Sequence, residues 1–186
     1  MDYIESYLED TIAIARALDR QSVKAAIELL ARTRAQEGRL FILGVGGSAG
    51  NASHAVNDFR KIARFEAYAP TDNVSELTAW TNDVGWEVVF EKWLQTSRLN
   101  SRDTILVFSV GGGSANTSQN LVRALDHAKR VGASIVSIVS RDGGHAKQVS
   151  DVTILIPVVH NDRITPHAEG WQGVVWHLIV NALCEA

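Results

Sequence analysis

Two histidine–carboxylate spacings mark where this chain could move a proton or hold a metal. His54 and Asp58 lie four residues apart, which puts both side chains on one face of a helix. Glu169 and His177 lie eight apart, ~80° around a helix axis and ~12 Å along it, so they cannot touch but can converge on a ligand. Gln172 and Gly173 stand between them in an otherwise apolar run containing Trp171, Val174, Val175, Trp176, Leu178, Ile179 and Val180. In an arbitrary helix the first pair is a solvated surface feature, and a lone histidine on an apolar helix is a satisfied core residue. The segments upstream change that balance.

His54 follows Leu40-Phe41-Ile42-Leu43-Gly44-Val45-Gly46-Gly47-Ser48, an apolar β-rich run that ends in glycines and a serine just before a helical pattern. Such a junction presents backbone N–H groups and a helix N-terminus, both of which favour an anion. A second copy is Ile105-Leu106-Val107-Phe108-Ser109-Val110-Gly111-Gly112-Gly113-Ser114. Neither fits the dinucleotide fingerprint or the lysine-bearing P-loop. Two such turns in one small chain point to a phosphorylated ligand held between two strand ends.

Composition narrows the class. With 186 residues the chain is read as one domain with a full core. A net charge of -3 and no basic cluster argue against nucleic acid. The single cysteine, Cys184, leaves no disulfide framework within one chain. The acidic, interrupted N-terminus is unlike a signal peptide, and no apolar run is long enough to cross a bilayer. These features predict a soluble cytoplasmic protein with no membrane partner.

The elements that must position these residues follow from periodicity. Helices are expected over residues 3–19 and 21–36, then about 49–64, 84–98, 115–131, 144–149 and 166–184, the last with Thr165 as N-cap and Pro166 in first position. Strands are expected at about 40–45, 104–110, 134–140 and 152–158, with a short one near 66–69. The polar segment from Tyr68 to Asp83 reads as an active-site loop, and Thr81, Asn82 and Asp83 as the entrance of the helix that starts near Val84. His167 reads as a surface residue. Trp171 and Trp176 read as a face that packs on another subunit. Apolar strands alternating with helices mean a parallel sheet covered on both faces, with ligands beyond the carboxyl ends of its strands.

Taken in order, these motifs resemble the sugar isomerase (SIS) domain family, and within it the phosphoheptose isomerases. The likeness covers the whole chain: two leading helices, the Gly-Gly-Ser turn, the His54/Asp58 helix, Asn82-Asp83, the second serine-bearing turn, Arg141-Asp142-Gly143-Gly144, and a closing helix with His177. It implies an α/β three-layer sandwich with a five-stranded parallel, flavodoxin-like sheet. Residues 1–37 would be helices for oligomer packing and residues 38–186 the α/β core of one SIS domain. It further implies a homotetramer with active sites between subunits.

Carried onto this chain, Ser48, Ser109 and Ser114 would cradle phosphate together with Gly46, Gly47 and Gly111. Asp83, beside Asn82, would contact substrate, as would Glu169. His54, Asp58, Glu169 and His177 match positions used for zinc, and Asp58 and His177 also match the acid/base pair. The chain departs from the family at Val45 (usually Asn), Val110-Gly111 (usually Thr-Ser), Asp58 (usually Glu) and Glu169 (usually Gln). The expected activity is isomerisation of sedoheptulose 7-phosphate to D-glycero-D-manno-heptose 7-phosphate through an enediol, for lipopolysaccharide or other surface-glycan synthesis. The alternatives are isomerisation of another sugar phosphate, or a non-catalytic SIS protein that binds a partner such as a replication initiator.

Overall fold

The computed structural model describes residues 2–185. Two helices, α1 (Tyr3–Ala17) and α2 (Arg20–Ala35), lead into β1 (Leu40–Leu43), α3 (Gly47–Lys61), β2 (Ala67–Tyr68), α4 (Val74–Val84) and α5 (Val89–Thr96). Then follow β3 (Thr104–Phe108), α6 (Gln119–Val131), β4 (Ser134–Val139), α7 (Gly144–Val149), β5 (Val152–Leu155) and α8 (Ile164–Glu185). All five strands are parallel, in the order β2-β1-β3-β4-β5. The expected fold class is the one observed.

The strands are apolar on both faces because both are covered. Leu40, Ile42, Leu106, Phe108, Val136 and Ile138 pack under α2, α3 and α8, whereas Phe41, Leu43, Ile105, Val107, Ile135 and Val139 pack under α5, α6 and α7. Strand order reverses between β1 and β3, so their carboxyl ends splay apart and leave a crevice. Both glycine turns open into it. At the opposite end, Asp103, just before β3, fixes the two central strands: its carboxylate accepts from the Arg39 backbone N–H (3.0 Å) and from Arg39 Nη2 (2.7 Å).

The structure corrects several expectations. Residues 74–84, expected as a loop, are helical, with the Asn73 side chain accepting the Glu76 N–H as N-cap. Thr81, Asn82 and Asp83 therefore end a helix rather than begin one; Gly85 (φ +102°) breaks it before a 3-10 turn at Trp86–Val88 and α5. The last helix starts at Ile164, continuing a 3-10 turn at Asn161–Arg163, so Thr165 is not its cap. Trp171 and Trp176 are buried in the protein's own core rather than offered to another subunit. His167 is buried too. It and Arg163 (2.7 Å from Nη1) both engage Asp10 Oδ2, which ties α8 to α1. Among the described residues no helix is long and apolar enough to cross a membrane.

Two predictions follow from these pins. Asp103→Ala strands the backbone N–H groups of Arg39 and Asn100 and one face of the Arg39 guanidinium, and should cost about 2–4 kcal/mol in urea unfolding. For Asp10, burial pushes the carboxyl up, but the hydrogen bonds from His167 and Arg163 outweigh it and hold the group below its ordinary value of 3.8. A depressed carboxyl stabilises the fold above its unfolded value and loses that contribution as pH falls through the folded one. Acid unfolding should therefore steepen below about pH 4, and Asp10→Asn should flatten that limb.

Candidate functional site

The first turn is built by close approach. A Cβ on Gly44 would collide with the Ser48 carbonyl, so only glycine lets β1 pass directly beneath the start of α3. The Gly46 carbonyl accepts from Ala49 (3.0 Å) and Gly50 (3.3 Å), while the N–H groups of Gly47 and Ser48 have no partner within the helix, as in any first turn. The second turn is clamped on the following segment. His145 and Ala146 donate their backbone N–H groups to the carbonyls of Gly113 and Gly112, each at 2.9 Å. Since a trans peptide sets N–H opposite C=O, the Gly113 N–H points away from the Gly112–Ala146 contact, and Gly113 lines the larger cavity.

Two adjoining cavities of about 520 and 290 Å³ share Ser109, Gly111, Thr117, Ser118 and Arg141; the smaller lies between the two turns and the larger beside the second. Ser114 lines the larger and Ser48 and Glu169 the smaller. Ser109 Oγ accepts the Gly112 N–H (3.0 Å) and so keeps its own proton for a ligand. Ser48 is placed differently. The Glu169 carbonyl can only accept, so Asn51 must present its Nδ2 (2.9 Å). That amide also donates to Gln172 Oε1 (3.0 Å), and Ser48 Oγ donates to the same oxygen (3.0 Å). The Ser48 hydroxyl is thus committed inside the protein, and what it offers an anion is its backbone N–H. Gln172 carries this network and is fully buried.

The residues expected to bind metal divide into two places. His54, Asp58 and His177 come together where α3 packs on α8, their ligand atoms all within 4.8 Å of one another. Asp58 Oδ2 lies 3.9 Å from His54 Nε2 and 3.7 Å from His177 Nε2, and its other oxygen accepts from Asn57 (2.8 Å). Glu169 is not in this group: two turns earlier on α8, its carboxylate lies against Gly47 at the first glycine turn. Asn82 and Asp83 are exposed at the end of α4, bonded to each other (2.8 Å), and line neither cavity. The sequence reading missed Thr117, Ser118, Arg141 and Thr165 in the crevice.

The three-residue group fits a divalent cation. His177 Nδ1 lies 2.7 Å from the Gly173 carbonyl, which can only accept, so Nδ1 carries the proton and Nε2 turns a lone pair toward Asp58. Lone pair facing carboxylate is repulsive unless a proton or a cation sits between them. The 3.7 and 3.9 Å His–Asp separations are within the ~4.2 Å that two ligands ~2.1 Å from one ion can span; the group as a whole spans up to 4.8 Å, so the two imidazoles must draw together for all three to share an ion. Two imidazoles and one carboxylate with an open fourth position are a donor set suited to zinc chemistry.

The SIS domain family matches residues 2–140. The chain belongs to it. A lincomycin biosynthesis protein, LmbN, from Streptomyces lincolnensis is 33% identical over 98% of this chain and 68% of its own length. A phosphoheptose isomerase from Helicobacter pylori strain P12 is 29% identical over 86% of this chain and 84% of its own. The structure of phosphoheptose isomerase GmhA from Neisseria gonorrhoeae superposes with a TM-score of 0.85 at 23% identity, covering 98% and 97% of the two chains; this establishes the shared SIS fold.

Removing the shared acceptor tests how the SIS crevice is held. Gln172→Leu keeps the volume but orphans the Ser48 hydroxyl and half-satisfies Asn51, and should cost about 1–3 kcal/mol in urea unfolding.

Proposed function

We propose that this SIS domain is an aldose–ketose isomerase that converts sedoheptulose 7-phosphate to D-glycero-D-manno-heptose 7-phosphate. The carrying observation is the pairing of His177 Nε2 with Asp58 Oδ2 at 3.7 Å on the helices that also wall the anion-binding crevice. From Glu169 to His177 α8 rises ~12 Å, and from Ser48 to His54 α3 rises ~9 Å. A phosphate held by the turns thus leaves the reactive end of a long sugar chain near the histidines, which favours a heptose over a shorter sugar. The names of the phosphoheptose isomerase relatives support the same substrate.

The reaction removes a proton from C1 of the ketose, forms a 1,2-enediol, and returns a proton to C2 while one passes from O1 to O2. Asp58 and His177 share this work: one takes the carbon-bound proton and the other relays between the oxygens. The Gly173 carbonyl holds His177 in the tautomer that can accept at Nε2. The Ser109 hydroxyl and the N–H groups of Gly47, Ser48 and Gly113 hold the phosphate. His54, Asp58 and His177 would hold a zinc ion that supplies positive charge for the developing oxyanion; His177 Nε2, the one ring nitrogen left to bind it, accepts a proton only when it is not a ligand.

The same reading includes a cytoplasmic homotetramer, with its sites near subunit interfaces, feeding surface-glycan synthesis. One side of α1 leaves Tyr3, Ile4, Leu8 and Ile12 exposed, and α8 leaves Val174 and Leu178 exposed near His177. These apolar side chains suit packing against further copies of the chain, with residues 1–186 acting as one unit.

Asp58→Asn and His177→Gln should each lower kcat by at least about 10²-fold with unchanged thermal unfolding. Chelation should abolish turnover and zinc restore it. A partner-binding SIS protein would show no turnover in any metal state and would be indifferent to both substitutions.

A further inference from the structure

Arg141 sits in a left-handed turn at the wall of the crevice. It is the second residue of a tight turn after β4, closed by the Gly143 N–H on the Ser140 carbonyl (3.0 Å). Its φ is +56°, the left-handed region where glycine is the ordinary choice. An arginine there costs backbone energy and returns nothing to the fold: among the described residues its guanidinium makes no hydrogen bond or ion pair. Arg64 (φ +60°) and Arg98 (φ +53°) share that backbone region, but of the three only Arg141 borders the crevice. Its neighbour Asp142 is occupied locally, accepting the Gly144 N–H (3.1 Å).

The location supplies the reason. Arg141 lines both cavities of the crevice and, among the described residues, is the one cationic side chain in either lining. Glu169 borders the smaller cavity, between the glycine turns, and Asp142 the adjoining larger one, so a phosphate dianion in either meets a carboxylate. Uncharged donors such as Ser109, Thr117 and the Gly113 N–H give hydrogen bonds but do not cancel that repulsion. A guanidinium, always charged and able to donate in a fork to two phosphate oxygens, does both.

We propose that Arg141 is a substrate-binding residue that neutralises the phosphate of the sugar phosphate and sets the preference for phosphorylated over free sugar. The proposal rests on the isomerase reading only for the identity of the sugar; phosphate recognition by Arg141 stands apart from turnover. The discriminating variant is Arg141→Gly, because glycine suits φ +56° and its folding is not in question; Arg141→Lys keeps a charge but loses the fork.

Titration with inorganic phosphate, followed by thermal shift and equilibrium binding, should raise the Tm of the unaltered protein. Arg141→Gly should be as stable without phosphate but bind it about 10- to 100-fold more weakly, with Arg141→Lys between them. In turnover, the loss in Arg141→Gly should fall on KM, and the kcat/KM ratio of sedoheptulose 7-phosphate to sedoheptulose should shrink by a similar factor. Equal phosphate binding by the glycine variant and the unaltered protein, or no phosphate binding by either, would overturn the proposal. If phosphate binding depends on Arg141 but sedoheptulose 7-phosphate is not turned over, the arginine's role stands and the isomerase reading falls.

Discussion

One oxygen atom holds the two halves of the site in register. Gln172 Oε1, fully buried between α3 and α8, accepts from both Ser48 and Asn51, and Asn51 reaches on to the Glu169 carbonyl. Buried donors without partners are costly, so α8 has essentially one register against the first turn of α3. That register places Glu169 beside Gly47 and, two turns on, His177 beside Asp58 and His54. A one-residue slip of either helix would break the network and separate the cluster together.

The parallel sheet makes that seam useful. Strand reversal between β1 and β3 opens a crevice at their carboxyl ends, and glycines let the chain turn there without side chains filling the space. The two ends of the site differ in chemistry. One is lined by hydroxyls, outward N–H groups and Arg141, and suits an oxyanion. The other gathers two imidazoles and a carboxylate on neighbouring helices, and suits proton transfer beside a cation. An extended sugar phosphate is the kind of molecule that needs both.

Much of this was legible in the sequence, for physical reasons. Continuous apolar runs ending in glycine and serine at Gly46–Ser48 and Gly111–Ser114 mark buried parallel strands that turn into helices, and the i,i+4 spacing of His54 and Asp58 fixes their common face. The failures are equally specific. Residues 74–84 read as loop because their polar side chains face solvent and none is fully buried, yet Asn73 three residues before Glu76 is a capping signal that marks the start. Trp171 and Trp176 could not be placed because α8 is apolar almost all round, so periodicity cannot tell which face is inside. His167 is buried by Asp10, a partner 157 residues away, and no local pattern carries that. The special place of Arg141 depends on a backbone angle and a cavity, both absent from spacing.

The central claim is that Asp58 and His177 move a carbon-bound proton of a sugar phosphate. Its most direct test is to incubate the zinc-loaded protein with sedoheptulose 7-phosphate in deuterium oxide and follow the sugar by NMR. The account predicts formation of an aldose 7-phosphate carrying deuterium at C2, and none with Asp58→Asn or His177→Gln. An unlabelled, unchanged ketose under every metal condition would contradict it.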